Sequence, residues 1–206
     1  MVEKDQIIQP SQMFNTTTQV SEEHKQKPAI VFDLDETLIF ASAIKPKADS
    51  SQIKIGRRRM YIQFRPGLCQ FIQEVSKLFD IFFFTASSQE YGDQIINLIL
   101  PDTPASHRFF RENCTSKYGY PVKDLELINR PINKILLVDD VEGSAMFQPK
   151  NLVRISPWFG GSPDSILLEE LLPALKNSCL ENDIPSSISN FLGNSKFSGL
   201  SVPQFA

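Results

Sequence analysis

Asp33 and Asp35 stand one residue apart at the end of the apolar run Ile30-Val31-Phe32. Two carboxylates held that close repel each other, so the pair needs a neighbouring cation, a shared proton or a catalytic task. Thr85 follows the run Ile81-Phe82-Phe83-Phe84, and Asp139-Asp140 follows Ile135-Leu136-Leu137-Val138. Three apolar runs therefore each end in an oxygen-bearing side chain. No His or Cys stands at ligand spacing, so such a set of oxygens suits a hard cation. Mg²⁺ held by a few carboxylates and by phosphate oxygens is the natural choice. Beside that ion one carboxylate can attack phosphorus in line to give an aspartyl phosphate, while a second on the following turn serves as general acid and then base. Phosphoryl transfer is otherwise positioning and charge neutralisation, which asks for a hydroxyl and a cation on the transferred group. Thr85 and Lys123 are the candidates.

The elements that must carry these residues follow from periodicity. Pro28 opens a first strand running to about Asp33, and its unbroken apolar character predicts burial on both faces between helices. Residues 44–64 predict a small antiparallel hairpin insert, with Ile53, Ile55, Met60, Ile62 and Phe64 alternating around Gly56-Arg57. Leu68, Phe71, Ile72, Val75, Leu78 and Phe79 fall on one helical stripe. Residues 80–85 predict a second strand, and Ser87-Ser88-Gln89-Glu90 a capped helix running to Leu100. A shorter strand at 107–111, a short helix from near Lys123 to Ile128, and strands at 133–140 and 151–155 come next. Ser162-Pro163 predicts the start of a last helix, kinked at Pro173. The fold class expected is α/β, a Rossmann-like parallel sheet flanked by helices, whose functional groups gather at the carboxyl ends of the strands.

Composition narrows the function classes. With 41% hydrophobic and 22% charged residues, the 206-residue chain suits one domain with a sizeable core. A net charge of −3 argues against a general nucleic-acid or anionic-membrane binder. Cys69, Cys114 and Cys179 form neither a disulfide framework nor a zinc pattern and point to a reducing nuclear or cytoplasmic setting. No run approaches the roughly 20 apolar residues of a membrane span, and the N-terminus has no signal-peptide pattern. The expected organisation is a mobile polar leader over residues 1–27, the catalytic unit over 28–178 and a Ser/Asn-rich tail over 179–206, disordered or strapped across the surface.

Six motifs in order, Asp33-Leu34-Asp35-Glu36-Thr37-Leu38, Arg65-Pro66-Gly67, Phe84-Thr85-Ala86-Ser87, Phe110-Arg111-Glu112-Asn113-Cys114, Val122-Lys123-Asp124-Leu125 and Val138-Asp139-Asp140, resemble those of the haloacid dehalogenase superfamily. Within it the likeness is to the small phosphatases of the RNA polymerase II C-terminal domain, the FCP1-homology or NLI-interacting-factor-like group, over about residues 28–177. The resemblance implies a phosphoprotein phosphatase acting on phosphoserine, with Asp33 as nucleophile and Asp35 as acid and base. It also implies that Thr85 and Lys123 hold the phosphoryl group, and that Asp33, the main-chain carbonyl of Asp35 and Asp140 hold Mg²⁺. Asp139 would orient Lys123 or the waters of the metal. Small members usually carry Asp-Asn at the last pair, so Asp140 is a departure toward the larger ones. By the same resemblance Ile44, Ile53, Ile55 and Tyr91 line an apolar pocket for a substrate residue such as proline, and Arg111 contacts the phosphopeptide. The insert is too small for a lid, which suits a phosphorylated side chain on a large protein better than a small metabolite.

Each feature also has a plainer reading. An acidic pair after a strand is often a turn or helix cap, Lys123 alone is an ordinary lysine, and Arg57-Arg58-Arg59, which could attract a phosphorylated, acidic substrate, is more plainly a solvated edge that discourages sheet pairing. His24 and His107 read as structural, Cys114 has no adjacent base, and Phe82-Phe83-Phe84 reads as core. Two other classes compete with catalysis. One is a non-catalytic peptide-binding domain of the same fold, as in a mitochondrial import receptor. The other is a signalling receiver domain, whose acids come in another order and which lacks a carboxylate two residues after the acceptor.

Overall fold

The computed structural model describes residues 27–203. The leader expected over residues 1–27 lies outside them apart from Lys27, as does His24. The chain opens with β1 (Ala29–Phe32), in which all four side chains are buried. A turn leads to β2 (Ile39–Ser42), followed by β3 (Ser51–Ile55) and β4 (Arg58–Phe64). These three form a separate antiparallel sheet in the order β2-β4-β3. The insert is therefore more than the hairpin expected over 44–64. Four residues too short to show a period, Ile39 to Ser42, add a third strand by pairing with Tyr61 to Phe64.

Helix α1 (Leu68–Leu78) buries Leu68, Phe71, Ile72 and Val75, the stripe expected. After it come β5 (Asp80–Phe84) and α2 (Gln89–Ile99), then β6 (Arg108–Phe109), reduced from the five residues predicted. Ser88 is the N-cap of α2 without a side-chain cap bond. A hairpin of β7 (Thr115–Lys117) and β8 (Tyr120–Val122) turns through Tyr118 and Gly119, both at positive φ. That is the geometry of a two-residue primed turn. The short helix is a 3₁₀ turn, Leu125–Ile128, so Lys123 stands just before it, where β8 ends. Asp124 caps the turn by accepting from the Glu126 N–H.

Strands β9 (Ile135–Asp139) and β10 (Leu152–Ile155) follow. The last predicted helix begins later than Ser162-Pro163. Its first six residues, Ile166–Leu171, are π-helical, and α3 (Leu172–Ser178) takes over with Pro173 in its first turn. Proline has no N–H to give to the preceding turn, which is where the two bond patterns meet. Past Cys179 the chain folds further. Helix α4 (Ile184–Gly193), capped by Asp183, buries Ile184, Ile188 and Leu192, and β11 (Leu200–Ser201) pairs antiparallel with β10.

The main sheet runs β11-β10-β9-β1-β5-β6, parallel except for β11. Alternation divides its side chains between two apolar layers. Ile30, Phe32, Phe83, Leu136 and Val138 meet α1 to α4 on one face. Ala29, Val31, Phe82, Phe84 and Leu137 meet Leu125, Ile128 and Ala145 on the other. Four helices thus cover one face, while short 3₁₀ turns cover the other where helices were expected. Among the described residues no helix is long and apolar enough to cross a membrane. His107 stacks on Phe82 at 3.9 Å and its Nδ1 lies 3.0 Å from the Ile81 carbonyl, a structural role.

Candidate active site

The turn after β1 is built to present acids. Asp33 continues the sheet with its N–H on the Val138 carbonyl. Glu36 takes positive φ (58°), and the Leu38 and Ile39 N–H groups both return to the Leu34 carbonyl. This tight loop projects Asp35 away from the sheet. Arg65, fully buried, fixes it from behind. Its guanidinium donates to both carboxylate oxygens of Asp164 (2.9 and 2.8 Å), to the Thr37 carbonyl (3.0 Å) and to the Ser156 carbonyl (2.9 Å). A forked cation is needed to satisfy a carboxylate and two carbonyls together. Gly67 then turns the chain at positive φ (79°), where a Cβ would meet Leu168 at 2.7 Å.

At the carboxyl ends of β1 and β9, Lys123 Nζ donates to Asp33 Oδ1 and to Asp139 Oδ2, each at 2.6 Å. Lys123 and Asp139 are almost wholly buried and Asp33 nearly so. Carboxylate oxygens of Asp33, Asp139 and Asp140 lie within 4.8 Å of one another. Burial pushes the Asp33 carboxyl up to about 8; Lys123 opposes the rise and Asp139 adds to it. Burial alone disfavours the Lys123 ammonium, but the flanking Asp139 and Asp33 outweigh it and hold the ammonium charged. Asp140, raised by burial and by Asp139, accepts from Thr37 Oγ1 at 3.2 Å. Asp139 Oδ1 takes the Val141 N–H at 2.8 Å. Three carboxylates gathered this closely offer hard oxygen donors that suit a metal cation by donor type and charge.

Asp35 stands on the open side. Its Oδ1 accepts from the Tyr91 hydroxyl and its Oδ2 from Ser87 Oγ at 3.0 Å. Burial raises its pKa, and these two donors oppose the rise. Tyr91 is shifted upward by burial and by the facing Asp35, so it remains a donor. Thr85 is buried at the end of β5, and its Oγ1 accepts from the Ser87 N–H at 3.1 Å. Close approach of α2 depends on Gly92, where a Cβ would lie 2.8 Å from Phe110 and 3.2 Å from Thr85 Cγ2.

A cleft of about 460 Å³ opens on Asp35, lined by Glu36, Ala41, Met60, Ser87, Ser88, Tyr91 and Arg111. Arg111 is anchored by Nε on the Ala86 carbonyl at 2.7 Å. A larger groove of about 670 Å³ lies between α1 and α2, but none of the acids lines it. The predicted acids, Thr85 and Lys123 thus share one end of the sheet, with Tyr91 and Arg111 on its rim. The isoleucines are not brought together there. Ile53 is buried in the core, Ile55 packs against that core, and Ile44 is 80% exposed on a loop. Ala41 of β2 and Met60 of β4 supply the cleft's apolar wall instead. Sequence reading also missed Thr37 and Ser87. Thr37 lies in the Asp33–Leu38 motif and Ser87 in the Phe84–Ser87 motif, yet hydroxyls in turns carry no signal of their partners.

Residues 28–185 match the family model of the NLI interacting factor-like phosphatases. Phosphatase PSR1 of Saccharomyces cerevisiae is 34% identical over 167 residues, covering 79% of this chain and 39% of that protein. The human CTD small phosphatase-like protein is 33% identical over 167 residues, covering 79% of this chain and 60% of its own length. The chain thus spans between two fifths and three fifths of these relatives. Among solved structures, the fission yeast RNA polymerase II CTD phosphatase Fcp1 bound to beryllium fluoride superposes with a TM-score of 0.55 at 22% identity. The match covers 67% of this chain and 44% of that one. With most of its length inside the family match and its six motifs gathered at one end of the sheet, this chain belongs to the NLI interacting factor-like phosphatase family.

Proposed function

We propose that the protein is a Mg²⁺-dependent phosphoprotein phosphatase that hydrolyses phosphoserine through an aspartyl phosphate on Asp33. The observation that carries this reading is the pair of carboxylates with opposite surroundings. Asp33 is buried against Lys123 beside two further acids, while Asp35 faces the cleft on two hydroxyl donors. Division of environments between two carboxyls is what lets one act as nucleophile and the other as acid. Asp33 attacks phosphorus in line, and the serine oxygen leaves with the proton that Asp35 supplies. Asp35 then takes a proton from water, which attacks the acyl phosphate and releases inorganic phosphate and the Asp33 carboxylate. Lys123 and Thr85 are assigned to the phosphoryl oxygens. Asp33, Asp140 and the Asp35 carbonyl would hold Mg²⁺, which neutralises charge on the transferring group. The open cleft suits a protein side chain, and the three free cysteines suit a nuclear or cytoplasmic setting.

The direct test is phosphate release from a phosphoserine peptide by the intact chain, with Mg²⁺ and with excess chelator. Turnover is expected to vanish with chelator and to return on adding Mg²⁺. Undiminished turnover in chelator would remove the metal from the reading. No release from any of a broad phosphopeptide set, with peptide still bound, would instead leave a binding domain.

Asp35 can be tested through the leaving group. A serine alkoxide must be protonated to depart, whereas p-nitrophenolate leaves unaided. Asp35→Asn is therefore expected to lower phosphoserine turnover by about 10²- to 10⁴-fold. With p-nitrophenyl phosphate the same variant should release a burst near one equivalent per chain and then stall, because water is no longer activated. Steady turnover of both esters at the wild-type rate would exclude Asp35 as acid and base.

A further inference from the structure

The insert sheet carries a charge that the catalytic reading leaves unused. Lys45, Lys47, Lys54, Arg57, Arg58 and Arg59 fall within residues 45–59 with a single acid, Asp49, a net +5 in a chain whose total is −3. All six are exposed, and none forms an ion pair among the described residues. Several cations elsewhere do: Arg65, Arg108, Arg130 and Arg154 each face a carboxylate. Edge protection does not require this charge. The free edge of β3 is already closed by α2, where the Gln94 side chain bonds both the N–H and the carbonyl of Lys54, and Glu90 takes the Gly56 N–H.

Register connects the patch to the cleft. Ile53 stands opposite Met60 and Ile55 opposite Arg58, so Met60 and Arg58 share one face of the sheet, with Lys54 and Arg59 paired on the other. Met60 lines the cleft that contains Asp35. Two residues of strand separate it from Arg58, about 7 Å along the same wall. A chain entering the cleft over the insert thus passes from Arg58 and its neighbours to Met60 and then to the acids, with Arg111 on the rim.

We propose that the insert sheet is a docking surface for an acidic segment flanking the scissile phosphoserine, either Asp/Glu-rich or carrying a second phosphate. This rests on the phosphatase reading of the site and names the class of substrate it takes. Unpaired cations beside a cluster of acids separate the roles of the two surfaces. The acidic centre accepts a phosphate only with its metal and Lys123, while the insert draws the surrounding negative chain without them. Such attraction raises the rate of encounter and weakens as salt shortens the screening length to less than about 10 Å.

The experiment compares two fluorescent twelve-residue phosphoserine peptides, one with neutral flanks and one with four glutamates placed about three to five residues from the phosphoserine. Both are turned over by the intact chain in 50 mM salt. The acidic peptide is expected to show at least tenfold higher kcat/KM, an advantage that shrinks below threefold in 300 mM salt. In R57Q/R58Q/R59Q, shown folded by its thermal melt, the ratio should fall to within twofold of unity. A ratio near one in the wild-type chain, or an advantage that survives in the triple variant, overturns the proposal. A second arm separates this outcome from failure of the phosphatase reading. The glutamate peptide with plain serine should bind the wild-type chain by anisotropy and lose at least tenfold in affinity in the triple variant, whether or not any ester is cleaved. Binding to vesicles of 30% phosphatidylserine without binding to that peptide would identify a membrane contact and overturn the proposal as well.

Discussion

Asp33→Asn is expected to abolish turnover of every phosphate ester, by about 10⁴-fold or more, because an amide is a poor nucleophile and no second group can form the acyl phosphate. The substitution keeps size and shape at a buried position, so loss of activity should come without loss of fold. Asp33 Oδ1 already holds Lys123 at 2.6 Å, and an Asn oxygen can accept the same bond. Three readouts separate chemistry from binding. Steady phosphate release should be undetectable, and the p-nitrophenolate burst expected of Asp35→Asn should be absent. Affinity for a phosphoserine peptide should stay within about tenfold. Turnover retained at more than a few per cent, with Mg²⁺ present, would sink the aspartyl-phosphate mechanism.

The second large effect concerns stability. Lys123→Met removes the ammonium that bridges Asp33 and Asp139 and leaves two buried carboxylates facing each other. Breaking a buried pair in this way costs about 3–5 kcal/mol, a fall in Tm of roughly 10 °C for a domain of this size. The pH dependence has a definite sign. The folded pKa of Asp33 is raised from 3.8 to about 8, so ionising it favours the unfolded chain, and the penalty is absent below about pH 4 and complete above about pH 8. Without Lys123 to offset it the folded pKa is higher still, so the variant goes on losing stability where the wild type has levelled off, and the gap between them should widen above about pH 8. Divalent cation should narrow the gap, since it can stand in for the lost charge among Asp33, Asp139 and Asp140. Thermal melts at about pH 7 and about pH 9, each with chelator and with Mg²⁺, check the size of the loss, its growth with pH and its relief by the metal. Equal melts for the two chains under every condition would mean that the bridge contributes nothing.

What could be read in advance divides along physical lines. Strands β1, β5 and β9 are unbroken apolar runs, and the polar residue that ends each one marks the sheet's functional edge, so Asp33, Thr85 and Asp139 were legible together. Helix α1 was legible because a core-facing stripe repeats over three turns. Strand β2 was not, since Ile39 to Ser42 are held by pairing with β4 and show no period of their own. The β7–β8 hairpin carries no apolar alternation, and Pro121 speaks against a strand. Helix α4 did have readable marks: Asp183 before Ile184-Pro185, with Ile184, Ile188 and Leu192 at helical spacing. The Ser/Asn-rich composition around them obscured the pattern. At the site, residue types pointed to the acids, whereas Lys123, an ordinary lysine by itself, stood out only through the Val122-Lys123-Asp124-Leu125 motif, and the isoleucines were placed by resemblance alone, which does not see that Ile53 of the insert sheet is buried. Hydroxyl partners such as Ser87 and Tyr91 become visible only when the turn after β1 brings Asp35 to them.

The pairing of β11 with β10 has a consequence for how the chain is made. Residues Leu152–Ile155 lie in a strand whose outer edge, among the described residues, is closed by Leu200–Ser201, and the apolar face beneath waits for α4. On the ribosome that edge is therefore synthesised well before the segment that shields it. The nascent domain must hold an open strand until Leu200–Ser201 have been made, which is the interval in which edge-to-edge association with a neighbouring nascent chain is most available. Expression limits drawn at the end of the family match, residue 185, would make that interval permanent.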